Sequence, residues 1–292
     1  MASSVVQRRV QSGRWQRLHQ GVMLLHSGAP TWRERAHGAV LYAGRDAALS
    51  HASAAFVHGM AARPGAVIEV SIPATRAVRP SRGLRIHRRQ KMPRASGRLR
   101  AVNEDATAVD LVDAARSLDE AVSAVVASVR RGLLPDRILA EAAERARLRH
   151  RAALVEMLSP GADEIESPLE FRYGRDVERR HGLPRGRTQL RQQVGGRWIR
   201  ADRVYVGFAT RVEVDGQLAH PHGRTDDDVW RDNALVLAHR EVTLRYRWHH
   251  VAATPCASAA QVAHALRLGG WQGTPRRCGP SCTLDRVGGR AP

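Results

Sequence analysis

The carboxy-terminal part of the chain carries the clearest alternation of apolar and polar residues. Thr188 to Val194 and Arg197 to Val206 alternate on either side of Gly195-Gly196, a pair that suits a type I′ turn because both central residues need positive φ. Arg211 to Gly216 alternates again, with two carboxylates on one face and two valines on the other. The pattern predicts a hairpin followed by a third strand.

Helical patterns surround these strands. Ser167-Pro168-Leu169-Glu170 opens a helix with Ser at the N-cap, Pro at N1 and Glu at N3. Val229 to His239 and Ser258 to Leu268 have helical periodicity, and Val242 to Trp248 alternates as a fourth strand. In this α-β-β-β-α-β-α order, the helix between the third and fourth strands is a crossover, so those strands are expected to be parallel neighbours. The sequence predicts an α/β domain with a mixed central sheet.

The first 160 residues have a different and mostly helical pattern. Residues 4–25 suggest a helix and then a hairpin, the order of the recognition helix and wing in a winged-helix protein. Thr31 with Glu34 and Ser117 with Glu120 have capping-box spacing, and Val67 to Ile72 with Leu84 to His87 predicts a small sheet. The expected divisions are a partial winged helix at 1–30, an α/β middle region at 31–160, the mixed-sheet domain at 161–272 and a disordered tail rich in Gly, Arg and Pro at 273–292.

The charge of the chain favours a polyanionic partner. The formal net charge is +19, and basic side chains that neutralise phosphates release counterions, so DNA is the expected partner. The arginines are scattered, which leaves a solvated basic surface as the alternative interpretation. No apolar run approaches the roughly 20 residues of a membrane span, and no signal core follows Met1, so a cytoplasmic protein is expected.

Lysine and cysteine usage narrows the chemistry further. Lys91 is the single lysine, which excludes Walker-type phosphate binding and any lysine-dependent step in the carboxy-terminal part. The cysteines, Cys256, Cys278 and Cys282, are too few for a disulfide framework. Cys278 and Cys282 flank a turn, but a structural zinc site needs two further ligands, so we expect free thiols on a loose tail.

Four carboxylates and one histidine are the candidate catalytic residues. Glu170 from a helix, with Asp202 and Glu213 from neighbouring strands, is expected to form an oxygen-rich pocket for Mg²⁺ or Mn²⁺. Asp215 or His220 is the candidate for positioning an attacking water molecule. The alternatives are that Glu170 is only a helix cap and that Asp202 is paired with a neighbouring arginine.

Together these residues resemble a known family. The matching series is Ser167-Pro168-Leu169-Glu170, Asp202, Glu213-Val214-Asp215-Gly216, His220, Arg231-Asp232-Asn233 and Arg245-Tyr246-Arg247-Trp248. It resembles the Vsr-like (very-short-patch-repair-endonuclease-like) domain of many actinobacterial proteins, which implies a PD-(D/E)XK restriction-endonuclease-like fold and an acidic metal site. The superfamily usually has Lys two residues after the strand glutamate, where this chain has Asp215.

The amino-terminal region resembles AbiEi-type antitoxins of type IV toxin–antitoxin systems. The similarity rests on Gly13-Arg14-Trp15 through Gly21-Val22 and on Ser50 to Ala55. The chain begins inside what would be the recognition helix, so we expect either a truncated winged helix or a misassigned start codon. A cognate toxin is therefore a second candidate partner beside DNA.

Two classes of function follow as expectations. The first is a metal-dependent DNA endonuclease or nickase. The alternative is a non-catalytic DNA-binding antitoxin or transcriptional regulator that retains a decayed nuclease fold, which the absent lysine favours. A scaffold without a nucleic-acid role is the third interpretation.

Overall fold

The chain divides into an amino-terminal unit, Met1–Ser159, and a carboxy-terminal unit, Pro160–Pro292. The computed structural model describes residues 3–159, 165–194, 196–215, 230, 233–237 and 240–287. This division falls next to the boundary expected between residues 160 and 161. The segments expected at 1–30 and 31–160 belong to one unit.

The amino-terminal unit begins with a helix and a hairpin, as the sequence predicts. Helix α1 (Ser3–Gln11) is followed by the antiparallel pair β1 (Gln16–His19) and β2 (Val22–Leu24). Helix α2 (Trp32–Ala43) starts at the expected capping box, in which the Thr31 hydroxyl accepts a hydrogen bond from the Glu34 amide at 3.2 Å. The local capping residues therefore fix the start of this helix.

A five-stranded sheet forms the centre of the amino-terminal unit. Its strands are β3 (Ala48–Leu49), β4 (Ile68–Pro73), β5 (Leu84–Arg89), β6 (Ala95–Ser96) and β7 (Ala101–Val102), in the order β5-β4-β3-β7-β6. The predicted pairing of β4 with β5 is present, and it is parallel. Alanines of α2 pack on the apolar residues of β3 and β4, where their small side chains allow close approach.

Five further helices complete this unit. Helix α3 (His51–Val57) follows β3, and α4 (Glu104–Ala114), α5 (Leu118–Arg130), α6 (Pro135–Ala143) and α7 (Arg151–Leu158) follow the sheet. The predicted cap at Ser117 is present, because its side chain accepts from the Glu120 amide. The middle region is mostly α-helical, as expected.

The carboxy-terminal unit contains the predicted mixed sheet. Helix α8 (Pro168–Arg172) continues as π-helical turns over Tyr173–Arg179. The strands are β8 (Arg187–Val194), β9 (Arg197–Tyr205), β10 (Thr210–Asp215) and β11 (Val242–Arg247), in the order β11-β10-β9-β8. Strands β10 and β11 are parallel, and the other two pairs are antiparallel, which confirms the predicted topology. Residues 233–237 of the predicted crossover helix are helical, and its remainder falls largely outside the described residues.

One face of this sheet packs on the helices. Val212 and Val214 of β10 and Tyr246 of β11 join a core with Tyr173 and with α9 (Pro255–Leu268). Since side chains alternate along a strand, Glu213 and Arg245 lie on the opposite face. The apolar alternation of the strands therefore decides which face carries the polar residues.

The expectation of a disordered tail is wrong for residues 273–287. The Arg276 amide donates to the His181 carbonyl at 2.7 Å, and Leu284, in the short helix α10 (Leu284–Val287), is buried in the core of the carboxy-terminal unit. Composition suggested disorder because Gly, Arg and Pro dominate this segment. Two apolar side chains, Cys282 and Leu284, anchor it nevertheless.

Candidate functional site

Glu170 occupies the third position of α8 and makes the predicted cap. The Ser167 hydroxyl accepts from the Glu170 amide at 3.2 Å and donates to its carboxylate at 2.8 Å. The Glu166 amide donates to the other carboxylate oxygen at 3.2 Å. Glu170 is only 6% exposed, so this capping carboxylate is buried.

The surroundings of Glu170 penalise its negative charge. Burial raises the pKa of Glu170, the Glu166 amide and the Ser167 hydroxyl oppose this rise, and the negative charge of Asp202 adds to it. Because two carboxylates interact only when they are near each other, the helix and β9 bring these two acids to the same place. A cation bound there would relieve their repulsion.

Asp202 lies where strands β9 and β10 separate. The paired residues of these two strands end at Arg203 and Val212. Beyond this point, the Asp202 carboxylate accepts a hydrogen bond from the Val214 amide of β10 at 2.8 Å. The side chain of one strand thus replaces a carbonyl as the acceptor and places a carboxylate between the two strands.

Glu213 is the neighbour of Val214 on β10 and is also buried. Its partner in the parallel register is Arg245 of β11, so a carboxylate and a guanidinium occur side by side on one face. Asp202 thus bonds to the residue next to Glu213 in the chain, and its charge acts on Glu170. That the three acids form one metal site stays a prediction.

Gln189 is a residue of this site that the sequence did not indicate. It lies in β8 with a φ of 51°, a conformation that is uncommon for residues other than glycine. Its amide nitrogen donates to Glu170 at 3.0 Å. Its amide oxygen is buried and has no hydrogen-bond partner in the described part of the chain. No local pattern distinguishes this glutamine from Gln192 or Gln193 of the same strand.

The structure does not describe the side chains of two predicted site residues. Asp215 ends β10, where its backbone is in register with Arg247, but its side chain is not among the described ones. His220 lies outside the described residues. The assignment of either residue to water positioning stays a prediction.

The sheet face that carries the acidic residues is rich in arginine. Arg191 is paired with Arg200 across β8 and β9, and Arg245 and Arg247 flank position 246 on β11. Alternation places Arg200 on the face of Asp202, and Arg245 and Arg247 on the face of Glu213. Arg191, Arg200 and Arg247 are exposed, so this face presents positive charge around its carboxylates.

A second cluster joins the three cysteines to His181. Within the residues that the structure describes, it is the one group of three or more His, Cys, Asp or Glu side chains whose ligand atoms are close enough to hold one ion. All four ligand atoms lie within 4.8 Å of one another. The acidic side chains described above do not form such a closed set.

The cysteines are thiols, as expected, but they do not lie on a loose tail. His181 and Cys256 are the two further partners that the sequence interpretation lacked. Although burial acts to raise the pKa of Cys282, the backbone amides of Cys278 and Leu284 lower it to about 6. His181 precedes Cys282 by 101 residues, so no short sequence spacing predicts that His181 joins the cysteines.

Comparison with known proteins adds no family assignment. No protein-family model and no curated protein matches the chain. In the described part of the chain, no helix combines the length and the apolar character that crossing a bilayer requires. The Vsr-like and AbiEi-like resemblances stay predictions.

Proposed function

We propose that the carboxy-terminal unit is a metal-dependent DNA phosphodiesterase, an endonuclease or nickase of the Vsr-like PD-(D/E)XK type. The observation that carries this proposal is the Asp202 carboxylate in the gap between β9 and β10, bonded to the Val214 amide next to Glu213. The buried Glu170 approaches the same place from α8. In this proposal, acids contributed by one helix and two strands would together hold a divalent cation.

The donor atoms suit Mg²⁺ or Mn²⁺. Glu170, Asp202 and Glu213 offer carboxylate oxygens, which are the ligands of hard divalent cations. Burial and the charge of Asp202 raise the pKa of Glu170, and a bound cation would oppose this rise. The buried amide oxygen of Gln189 has no partner in the described part of the chain and is one more oxygen for a hydrated metal ion. A bound ion would polarise the phosphoryl oxygen and acidify a water molecule.

Arg245 supplies the fixed positive charge that the absent lysine would bring. Its register with Glu213 places it beside the proposed metal position on the same face. A guanidinium stays protonated at neutral pH, so Arg245 stabilises a phosphate and does not take a proton. Water activation then belongs to Asp215 or His220 in this proposal.

The arginine-rich face explains how a DNA backbone would reach the acids. Arg191, Arg200 and Arg247 are exposed on the face that carries Asp202 and Glu213. Arginine donates to phosphate oxygens in a fixed planar fork. The net charge of +19 adds attraction at long range, which weakens as salt increases.

A plasmid-nicking assay with and without Mg²⁺ or Mn²⁺ tests the proposal. Asp202→Asn keeps an acceptor for the Val214 amide but removes the negative charge, so we expect loss of nicking without loss of fold. Glu213→Gln should behave alike. Lys91→Ala is the control, because Lys91 belongs to the amino-terminal unit, is exposed and forms an ion pair with Glu144 of the same unit. If Mg²⁺ and Mn²⁺ change neither the integrity of the plasmid nor the melting temperature of the protein, the proposal is contradicted.

Position 215 favours a second candidate function, a DNA-binding antitoxin or regulator with a decayed nuclease site. The observation behind it is Asp215, which stands where the resembling superfamily carries its lysine. Under this alternative, the protein binds metal and DNA without nicking, and Asp215→Lys creates nicking. If the unmodified protein nicks and His220→Ala removes that activity, the histidine positions the water and the enzyme proposal stands.

A further inference from the structure

Four side chains from three separate segments meet at one end of the carboxy-terminal unit. His181 ends the helical segment that begins with α8 at Pro168, and Cys256 is the second residue of α9. Cys278 and Cys282 lie on a turn that is closed by a hydrogen bond from the Cys282 amide to the Gly279 carbonyl at 3.1 Å. Chain segments far apart in sequence thus supply three sulfurs and one imidazole nitrogen.

The distances between these atoms match a tetrahedral metal site. A Zn–S bond of about 2.3 Å and a Zn–N bond of about 2.0 Å in a tetrahedron place sulfurs about 3.8 Å apart, and sulfur and nitrogen about 3.5 Å apart. The sulfurs of Cys256 and Cys278 are 3.6 Å apart, and those of Cys256 and Cys282 are 3.7 Å apart. Cys282 Sγ lies 3.8 Å from His181 Nε2. A disulfide would require about 2.05 Å.

The imidazole of His181 is oriented for ligation. Its Nδ1 lies 3.1 Å from the Val177 carbonyl, one turn earlier in the same helix. A carbonyl only accepts, so Nδ1 carries the proton and Nε2 keeps its lone pair toward the sulfurs. Metal-bound histidines commonly have this arrangement, in which a backbone carbonyl fixes the tautomer and the ring direction.

We propose that His181, Cys256, Cys278 and Cys282 form a structural zinc site. Thiolate and imidazole ligands select Zn²⁺ over Mg²⁺ or Ca²⁺. Four protein ligands close the coordination sphere, so the ion has no open position for water or substrate and serves folding. The site is distinct from the proposed acidic site in its ligands, its metal and its role.

The zinc site would fasten the end of the chain to the helix that presents Glu170. Arg276 already joins these segments, since its amide donates to the His181 carbonyl and its guanidinium donates to the Arg179 carbonyl at 2.9 Å. Gly182 has a φ of 66° and leaves space for the Arg276 side chain, which a Cβ would approach to 3.2 Å. The ion would add a crosslink between His181, the start of α9 and the tail.

Metal analysis of the purified full chain is the first test. We expect about one zinc ion per chain, because the four ligands form one tetrahedral set. Binding deprotonates thiols, so adding Zn²⁺ to metal-free, reduced protein should release protons and protect the cysteines from a thiol reagent. Co²⁺ in place of Zn²⁺ should give the visible spectrum of a tetrahedral thiolate site.

Two outcomes would overturn the proposal. One is equal thiol reactivity with and without zinc, and the other is a Cys256–Cys278 disulfide in protein purified under non-reducing conditions.

Stability measurements distinguish zinc binding by the four side chains from packing of the same side chains without a metal ion. Chelation should lower the melting temperature of the unmodified protein, and stoichiometric zinc should restore it, because a ligand that binds the native state stabilises it. Cys278→Ser should lose zinc to a chelator faster than the unmodified protein. His264→Ala on α9 is the matched control, since His264 is exposed and outside the cluster, and it should retain zinc fully. A melting temperature indifferent to chelator and zinc also overturns the proposal. Neither measurement depends on DNA cleavage, so failure of the nuclease proposal leaves this one intact.

Discussion

Arg203 and Glu178 form a buried ion pair that tests how the carboxy-terminal unit is held together. Arg203 Nη1 lies 2.8 Å from Glu178 Oε2, and the side chains are 1% and 4% exposed. Glu178 also accepts hydrogen bonds from the Tyr205 hydroxyl at 2.7 Å and the Gly186 amide at 3.1 Å. The guanidinium carbon of Arg203 lies 5.6 Å from the centre of the Tyr173 ring. The pair therefore connects the helix after α8 with strand β9.

Replacing Arg203 by Met removes the cation and keeps most of the apolar stem. Glu178 is then a buried carboxylate without its counter-ion, and breaking a buried pair from one side costs about 3–5 kcal/mol of unfolding free energy. For a unit of this size, that loss corresponds to a decrease of about 10–20 °C in melting temperature.

Arg200→Met is the matched control on the same strand. Arg200 lies 2.8 Å from Glu166, as close as the buried pair, but these side chains are 47% and 36% exposed. Exposed pairs contribute about 0–1 kcal/mol, because water solvates both charges when the pair is broken. The assay is urea unfolding followed by circular dichroism and tryptophan fluorescence. Equal losses in the two variants would refute the reasoning, because burial is their main difference. Adding Glu178→Gln to Arg203→Met should recover part of the loss.

Three further predictions concern the amino-terminal unit. Burial lowers the pKa of His51 from 6.5 to about 4, so between pH 6.5 and pH 4 the unfolded chain takes up a proton that the native state does not. Acidification through this range should therefore lower the unfolding free energy by up to about 3 kcal/mol. His51→Gln should remove this pH dependence in urea titrations at a series of pH values. Thr31→Ala removes the α2 cap and should cost about 1 kcal/mol in the same assay, whereas no change would mean that the cap is not stabilising. Leu49→Ala in the core should cost about 2–5 kcal/mol, and Leu41→Ala, 59% exposed, less than 1 kcal/mol; similar losses would contradict the assigned core.

Patterns that depend on neighbouring residues were sufficient to predict much of the fold. Alternation identified β8, β9 and β10, and the helix-like segment before β11 implied the parallel pair that the structure contains. The hairpin turn was predictable because glycine tolerates positive φ best, and Gly196 adopts a φ of 79°. The caps at Thr31 and Ser117 are equally local, since donor and acceptor are three residues apart.

The same alternation predicted the sheet face on which Glu213 lies, but it did not give the contacts of the acidic residues. That Glu213 lies on the face opposite the core follows from the valines at 212 and 214. The Asp202 carboxylate accepts a hydrogen bond from the Val214 amide because the pairing of β9 with β10 ends at Arg203 and Val212. The alternation of residues does not reveal where this pairing ends. Gln189 has an unusual backbone conformation with positive φ, which its residue type does not predict.

The sequence by itself therefore determined the elements, their order and the mixed pairing of the carboxy-terminal sheet, because these depend on periodicity and on turn chemistry within a few residues. The tertiary structure alone decided which distant side chains meet. His181 reaches Cys282 across 101 residues, and Glu178 meets Arg203 across 25, because helix α8 with its π-helical continuation packs beside the sheet and the tail returns to its end. Such contacts arise from packing of whole elements, so their partners have no fixed spacing along the chain.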